Sequence, residues 1–329
     1  MYLAGFDIGG TKCAVLAAKV EENSVQFLFR KEIVTAGTWK DVLDRLCQIY
    51  TRECRLLPAG AIMQGAGVSC GGPLDCARGV ICSPPNLPGW DNVPVTRYLS
   101  EKIGLPVGLM NDADACALAE WRYGAGRGTR NMIFLTFGTG LGAGLILNGR
   151  LYTGTNGMAG EVGHIRLKKS GPVGYGKSGS LEGFCSGSGL GQIARKYAED
   201  SFFKGRMVSF CAKPEDIPEI TAKKVIDSAK AGAQDAVRIL RDCGKNFGRG
   251  LAVLIDILNP ERIVVGSIFC RAQPFLYEGM MREICREALP QSAARCEVVA
   301  AELGERIGDY AAIVAALQDG EMRDEARGK

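Results

Sequence analysis

The chain has 329 residues, with 40 basic and 36 acidic side chains, a formal charge of +4, and 47% hydrophobic against 23% charged residues. At roughly 150 residues per domain, that length suggests two domains with enough apolar content to bury a core in each. No basic stretch interleaved with aromatics argues for nucleic acid, and no apolar run reaches the length of a membrane span.

The thirteen cysteines are odd in number and contain no C-x-x-C. Cys70, Cys76 and Cys82 are evenly spaced, which is neither zinc-site nor redox spacing. Most of the thirteen are read as small buried hydrophobes of a reducing cytosol. The chain is inside its first hairpin by Asp7, which leaves no room for a signal peptide. A cytoplasmic protein is expected.

In chain order, an apolar run enters Asp7-Ile8-Gly9-Gly10-Thr11-Lys12 and leaves through Cys13 to Ala18, a strand–turn–strand pattern. Trp39 to Cys54 has helical spacing (Val42, Leu43, Leu46, Ile49, Tyr50), with Thr38 as N-cap and Asp41 in the first turn. Ala61 to Val68 reads as a strand. Gly71 to Trp90 is a turn-rich loop containing Ser83-Pro-Pro-Asn-Leu-Pro-Gly-Trp90. Pro106 to Met110 is a short strand running into Asn111-Asp112, and Ala115 to Tyr123 is helical. Gly124 to Thr129 is a linker.

Met132 to Leu135 then enters Thr136-Phe-Gly-Thr-Gly-Leu-Gly-Ala-Gly144 and leaves through Leu145 to Leu147, repeating the first device. Glycines in such turns let backbone N–H groups converge on phosphate oxygens. Asn148-Gly149 is a two-residue hairpin turn. Gly154 to Gly189 shows little helical periodicity. Gln234 to Leu258 is a helix stopped by Asn259-Pro260, Arg262 to Val265 is a strand into Gly266-Ser267, and Asp309 to Leu317 is a closing helix. Gln318 to Lys329 is read as a solvated charged tail.

Two motif matches fail on context. Gly171-Pro-Val-Gly-Tyr-Gly-Lys-Ser178 fits the phosphate-loop pattern, but Gly179, Gly183, Gly187 and Gly189 follow where a helix must start. Gly138-Thr-Gly140-Leu-Gly-Ala143 fits a dinucleotide fingerprint, but it opens a strand rather than a helix.

Chemistry-bearing residues gather near the hairpins. Asn111-Asp112 lies at a strand-to-helix junction, where open α/β sheets place ligands and a helix N-terminus keeps a carboxylate ionised. Taken alone, the pair is better explained by helix capping, which Asn and Asp do everywhere. Glu161 and His164, the only histidine, sit in Ala159-Gly-Glu-Val-Gly-His164, and Glu182 follows. Such acceptors, with Asn86 held between prolines, suit a polyhydroxylated ligand.

The ordered motifs DIGGTK, CGGPLD, SPPNLPGW, NDADA, TFGTGLGAG and AGEVGH, spanning Asp7 to about Leu317, resemble the ROK family (repressor, open reading frame, kinase) of sugar kinases and sugar-sensing repressors. The resemblance implies an actin-like ATPase (ribonuclease H-like) α/β fold with two lobes and a cleft between them. Residues 1–123 would form the first lobe, joined by a closing helix near 305–318, and 124–304 the second. It implies Asp112 as the base, with Asn111, Glu161, His164, Glu182, Gly71, Gly72 and Asn86 around the sugar. Asp7 would serve Mg2+, directly or through water. Gly9, Gly10, Thr11, Lys12, Gly138, Thr139 and Gly140 would serve the phosphates of ATP, and Gly266 the adenosine, although Ser267 replaces a usual second glycine. A homodimer is also implied.

Many family members carry a C-x-C-G-x-x-G-C-x-E zinc loop. Here the stretch reads Val173-Gly-Tyr175-Gly-Lys-Ser-Gly-Ser180-Leu-Glu182, so zinc is not expected. The expected reaction is phosphoryl transfer from Mg-ATP to a hexose such as glucose, at the 6-hydroxyl. Another hexose, an N-acetylhexosamine or a glycoside is the alternative, as is a catalytically silent sugar-binding protein. A sugar-responsive repressor would need a helix-turn-helix ahead of Asp7.

Overall fold

The computed structural model describes the backbone of residues 1–327 and the side-chain surroundings of residues 1–320. Its strands are β1 (Tyr2–Ile8), β2 (Lys12–Glu21), β3 (Ser24–Val34), β4 (Met63–Cys70), β5 (Val107–Asn111), β6 (Met132–Phe137), β7 (Leu141–Leu147), β8 (Arg150–Tyr152), β9 (Arg262–Val265) and β10 (Glu297–Ala300). Its main helices are α1 (Trp39–Cys54), α2 (Val95–Ile103), α3 (Asp112–Tyr123), α4 (Leu181–Phe184), α5 (Gly187–Phe203), α6 (Ala222–Lys230), α7 (Gln234–Leu258), α8 (Ile268–Glu287) and α9 (Ile307–Arg327). Short two-residue ladders and 3-10 turns fill the connections.

Two compact units are present. One holds Met1–Arg127, Thr153–Met158 and the C-terminal segment from Glu305; the other holds Gly128–Tyr152 and Ala159–Gly304. Each contains a five-stranded sheet, ordered β3-β2-β1-β4-β5 in the first and β8-β7-β6-β9-β10 in the second. In both, the first three strands are antiparallel and the last two join in parallel. The repeated glycine hairpins are thus the β1–β2 and β6–β7 turns of one topology used twice.

In the first unit, β1 alternates strictly. Ala4, Phe6 and Ile8 pack with Val42, Leu43 and Leu46 of α1 and Leu99 of α2, while Leu3 faces Ala312, Ile313 and Ala316 of α9. The period of two places Asp7 on the α9 side. Thr38 and Asp41 form a reciprocal capping box that fixes the start of α1.

Helix α9 lies unusually close to the sheet. Gly5, Gly67 and Gly108 stand in register across β1, β4 and β5, forming a side-chain-free row. A Cβ at Gly67 would sit 2.2 Å from the Ala312 carbonyl oxygen and 2.3 Å from the Ala316 nitrogen. At Gly5 it would meet Ala312 Cβ at 2.8 Å, and at Gly108 the Ala315 carbonyl oxygen at 2.8 Å. The helix answers with alanines at Ala312, Ala315 and Ala316, one face at helical spacing.

In the second unit, Phe137 ends β6 and packs on Phe247 of α7 at 5.2 Å between ring centroids; Phe247 in turn meets Phe269 of α8 at 6.0 Å. These rings anchor the strand that feeds the glycine hairpin. Helices α7 and α8 also approach through glycine, since a Cβ at Gly244 would lie 2.3 Å from the Leu276 carbonyl oxygen.

Several expected boundaries move. The strand read at Ala61–Val68 is Met63–Cys70, the one at Pro106–Met110 is Val107–Asn111, and the helix read from Ala115 begins at Asp112. Edge strands β3 and β10, half-exposed and without a clean alternation, escape the sequence reading. The closing helix does not stop at Leu317 but runs to Arg327, so the segment read as a tail is helical that far; side chains beyond Gly320 lie outside the described residues. Between Gly154 and Gly189, helices α4 and the start of α5 form despite their glycines, because Ser180 and Ser186 cap them. Their glycines serve packing: a Cβ at Gly183 would lie 2.2 Å from the Pro172 carbonyl oxygen. Among the described residues no helix is long and apolar enough to cross a membrane.

The glycine row gives a paired test. Gly67→Ala should lose about 3 kcal/mol of unfolding free energy, because neither α9 backbone atom can move aside alone. Gly65→Ala on the same strand would meet only ordinary contacts at 3.7 Å or more, and should change stability by less than about 1 kcal/mol. Urea unfolding of both variants checks the difference.

Candidate functional site

In the first unit the parallel strands end level with one another: Ile8 pairs with Cys70, and Cys70 with Asn111. The next residues are therefore Gly9, Gly71 and Asp112, placed together at the carboxyl edge of the sheet, where open α/β sheets bind ligands. Gly10 touches the Asn86 loop so closely that a Cβ would lie 2.2 Å from the Asn86 carbonyl oxygen. The Cβ position of Gly71 is 3.7 Å from Asp112 Oδ2 and 3.8 Å from Asn86 Nδ2, and that of Gly72 is 3.4 Å from Asn111 Nδ2. Asn86, Asn111 and Asp112 thus gather around Gly71-Gly72.

Asn111 does cap a helix. Its Oδ1 accepts the Ala113 N–H at 2.9 Å as the N-cap of α3, which orients the Nδ2 end toward Gly72. Asp112 Oδ1 accepts the same N–H at 2.8 Å. The Asp112 side chain is reachable by solvent, yet the protein packed around its carboxyl desolvates it and raises its pKa above the ordinary aspartate value; the Ala113 N–H opposes that shift.

Asp7 lies on the α9 side of β1, and a Cβ at Gly308 would come within 2.9 Å of its Oδ2. Burial is the main reason its carboxyl is raised from 3.8 to about 6, with the negative charges of Asp309 and Asp112 adding and Arg30 and Lys12 opposing. Asp309 itself is buried and paired with Arg30 at 2.7 Å. Lys12 bonds Glu32 at 2.9 Å, and Thr11 is exposed at the hairpin tip, where its carbonyl accepts from Thr35 N–H at 3.0 Å.

The second unit gathers the other residues around Glu182. Its Oε2 accepts the Leu141 N–H at 2.9 Å, just past Gly138-Thr139-Gly140, and a Cβ at Gly140 would lie 2.9 Å from the same oxygen. A Cβ at Gly163 would meet Glu182 Cβ at 3.2 Å and the Leu141 carbonyl oxygen at 2.2 Å. The 3-10 turn Val162–His164 therefore presses directly on the hairpin, with Glu161 and His164 exposed at its two ends. The hairpin is also gripped by α5, whose Gly187 and Ser188 N–H groups donate to the carbonyls of Gly138 and Thr139 at 2.8 and 3.1 Å. Gly138 approaches Ser267, with its Cβ position 3.8 Å from Ser267 Oγ, so Gly266-Ser267 borders the same hairpin.

The ROK family profile matches residues 3–318. The chain belongs to the ROK family. A glucokinase from Thermotoga maritima is 30% identical over 307 residues, covering 93% of this chain and 94% of the relative. Among solved structures, a ROK hexokinase from Thermus thermophilus superposes with a TM-score of 0.80 at 30% identity, covering 98% of this chain and 100% of that one. A ROK glucokinase from Streptomyces griseus, solved with glucose and AMPPNP, gives 0.77 at 29% identity, covering 97% and 100%. The fold is the actin-like ATPase fold of these ROK kinases.

The ROK motifs led to most residues at both clusters but passed over Asp309, Gly308, Ser186 and Gly187. Asp309 lies in the first turn of the last helix, and only the packing of α9 on β1 brings it near Asp7. Ser186 is visible as a Ser-x-x-Gly cap, a signal masked by the surrounding glycines. Ser267, where a glycine is usual, adopts φ +56°, ψ −116°, a conformation that suits glycine better. Lys177-Ser178, the end of the false phosphate loop, forms a two-residue ladder with Val173–Gly174 and not a helix start.

The electrostatics of Asp7 carry a pH signature. A carboxyl at about 6 in the fold and 3.8 otherwise weakens the fold as pH rises from below 3.8 through 6, because the charged form is disfavoured in the native state. In Mg-free buffer, Asp7→Asn should therefore gain melting temperature relative to the parent between pH 4 and pH 7.5. A gap that stays constant across that range, measured by calorimetry, would show that Asp7 is not electrostatically penalised.

Proposed function

We propose that this chain is an ATP-dependent hexose kinase that moves the γ-phosphoryl of Mg-ATP to the 6-hydroxyl of an aldohexose such as glucose. The carrying observation is the Asp112 carboxylate, placed at the carboxyl edge of β5, solvent-reachable, and raised in pKa beside Asn86, Asn111 and Gly71. An aspartate with a raised pKa is, in its ionised form, a stronger proton acceptor than an ordinary one. The glucokinase from Thermotoga maritima and the Streptomyces griseus enzyme that binds glucose and AMPPNP support the substrate class.

Asp112 takes the proton from the attacking hydroxyl. Asn111 meets the sugar through Nδ2, since Oδ1 is held by the α3 cap. Glu161, His164 and Glu182 hold further hydroxyls, Glu182 through Oε1 because Oε2 is fixed by Leu141. Gly71 and Gly72 give the sugar room beside Asn86. The β1–β2 turn (Gly9, Gly10, Thr11, Lys12) and Gly138, Thr139 and Gly140 hold phosphates, and Gly266 borders the adenosine.

Asp7 fits a hard divalent cation: its carboxyl is short of compensating positive charge, and Mg2+ needs only one or two protein carboxylates besides phosphates and waters. When bound, Mg2+ neutralises charge on the triphosphate. Otherwise the chain's own work is positioning and proton acceptance. The altered stretch Val173–Ser180, which follows His164, favours a second reading in which the acceptor is another hexose, an N-acetylhexosamine or a glycoside. A cytoplasmic homodimer belongs to the same reading, and light scattering checks the assembly.

Asp112→Asn separates chemistry from binding. Turnover in a coupled ADP-release assay should fall by about 10²–10⁴-fold. Sugar affinity by calorimetry should stay within threefold. In the parent, kcat/KM should decline toward acid with a midpoint above that of an ordinary aspartate, since Asp112 must be ionised to accept the proton. Full turnover in the variant would remove Asp112 from the reaction.

A further inference from the structure

The loop that binds zinc in many ROK proteins has the wrong donors here. Val173, Tyr175 and Ser180 stand where three thiolates would, and none of the thirteen cysteines lies between residues 173 and 182. Valine offers no donor, while zinc sites of this kind are built from thiolate and imidazole. The residues do not fit the metal.

Hydrogen bonds hold the stretch instead. Val173–Gly174 pairs with Lys177–Ser178 across Tyr175 and Gly176, both at positive φ (42° and 75°), as a tight hairpin requires. The Gln192 side chain, from α5, accepts the Val173 N–H at 3.0 Å and donates to its carbonyl at 2.8 Å, docking the hairpin on a rigid helix. Ser178 Oγ accepts from Gly171 N–H at 3.2 Å and donates to the Gly171 carbonyl at 2.9 Å; Arg166 donates to the Ser178 carbonyl at 2.8 Å. Lys177 Nζ then donates to the His164 carbonyl at 2.6 Å, a charge-assisted bond that ties the hairpin to the 3-10 turn. On the far side, a Cβ at Gly174 would lie 2.7 Å from Glu182 Cβ, so the hairpin is wedged between His164 and Glu182.

We infer that Lys177 and Gln192 are positioning residues that replace a metal: Gln192 fixes the Val173–Ser178 hairpin to α5, and Lys177 uses it to hold the backbone of His164. Fixing that carbonyl fixes the turn, and with it the Cα–Cβ direction from which the imidazole extends. The motif that imitated a phosphate loop is therefore a sugar-loop brace, with its lysine turned to a protein carbonyl. This inference rests on the reading of His164 and Glu182 as sugar-binding residues.

The test uses Lys177→Met, Lys177→Arg and Gln192→Leu in the full-length protein without a histidine tag. Lys177→Met should raise the KM for the hexose about tenfold, leaving kcat and the KM for ATP within threefold; Lys177→Arg should recover most of the loss, and Gln192→Leu should behave like Lys177→Met. Because His164 is the only histidine, its imidazole gives a single Cε1–Hε1 resonance. That resonance should shift or broaden in Lys177→Met and return toward the parent position in Lys177→Arg, and it decides the matter even if no sugar is turned over. Zinc analysis of the parent should find less than about 0.1 atom per chain, and zinc-selective chelation in excess Mg2+ should leave the imidazole signal unchanged. Three results would overturn the inference: an unmoved imidazole in Lys177→Met, an equal loss in hexose KM, ATP KM and kcat, or stoichiometric zinc.

Discussion

Helix α9 lies directly on bare sheet backbone, and the site in the first unit depends on that contact. Three strands give up their side chains in one row, at Gly5, Gly67 and Gly108, so that the alanine face of α9 can descend onto them. The close approach brings Gly308 against the Asp7 carboxylate and Asp309 near enough to raise its pKa. It also seats α9 against β1, β4 and β5, the strands whose ends carry Gly9, Gly71 and Asp112. Glycine weakens a strand, and its use at three neighbouring positions costs stability that the helix contact must offset. The return is a carboxylate whose pKa is raised chiefly by burial, with Asp309 of α9 adding to the shift.

The second unit reaches a comparable end by other means. There the organising side chain is Glu182, which bonds Leu141 and crowds Gly140, Gly163 and Gly174. One carboxylate thereby connects the glycine hairpin, the His164 turn and the Val173–Ser178 hairpin. Changing any of the three glycines would push on the same group, which explains why this part of the chain is so rich in them. Phe137, Phe247 and Phe269 give the hairpin a stiff foundation in the core of this unit.

Much of this was legible in the chain. The two hairpins declare themselves because glycine-rich turns interrupt apolar strands in the same way twice, and α1 and α7 because their apolar spacing and caps agree: Thr38 with Asp41 at one, and Asn259 in the left-handed conformation at φ +44° at the other. Asp112, Asn86 and Glu182 were found through motifs, but their surroundings were not. The docking of α9 depends on contacts about 200 to 300 residues apart in sequence, which no periodicity reveals. Helix α5 begins in glycines that local propensity argues against, and only its capping serine and the tight packing beneath it make that start intelligible. Lys177 is the clearest case. Its pattern matched a phosphate loop completely, and the side chain's actual partner, the His164 carbonyl, could not be read from spacing.

The claim that joins these observations is that the chain phosphorylates a hexose at its primary hydroxyl. It is tested most directly by phosphorus and proton NMR of a reaction containing the protein, Mg-ATP and glucose. The account predicts a new sugar-phosphate resonance whose phosphorus couples to the two protons on carbon 6, growing as ADP accumulates. Phosphate attached at another carbon would contradict the assigned hydroxyl, and ADP with free inorganic phosphate and unchanged sugar would contradict the kinase reading itself.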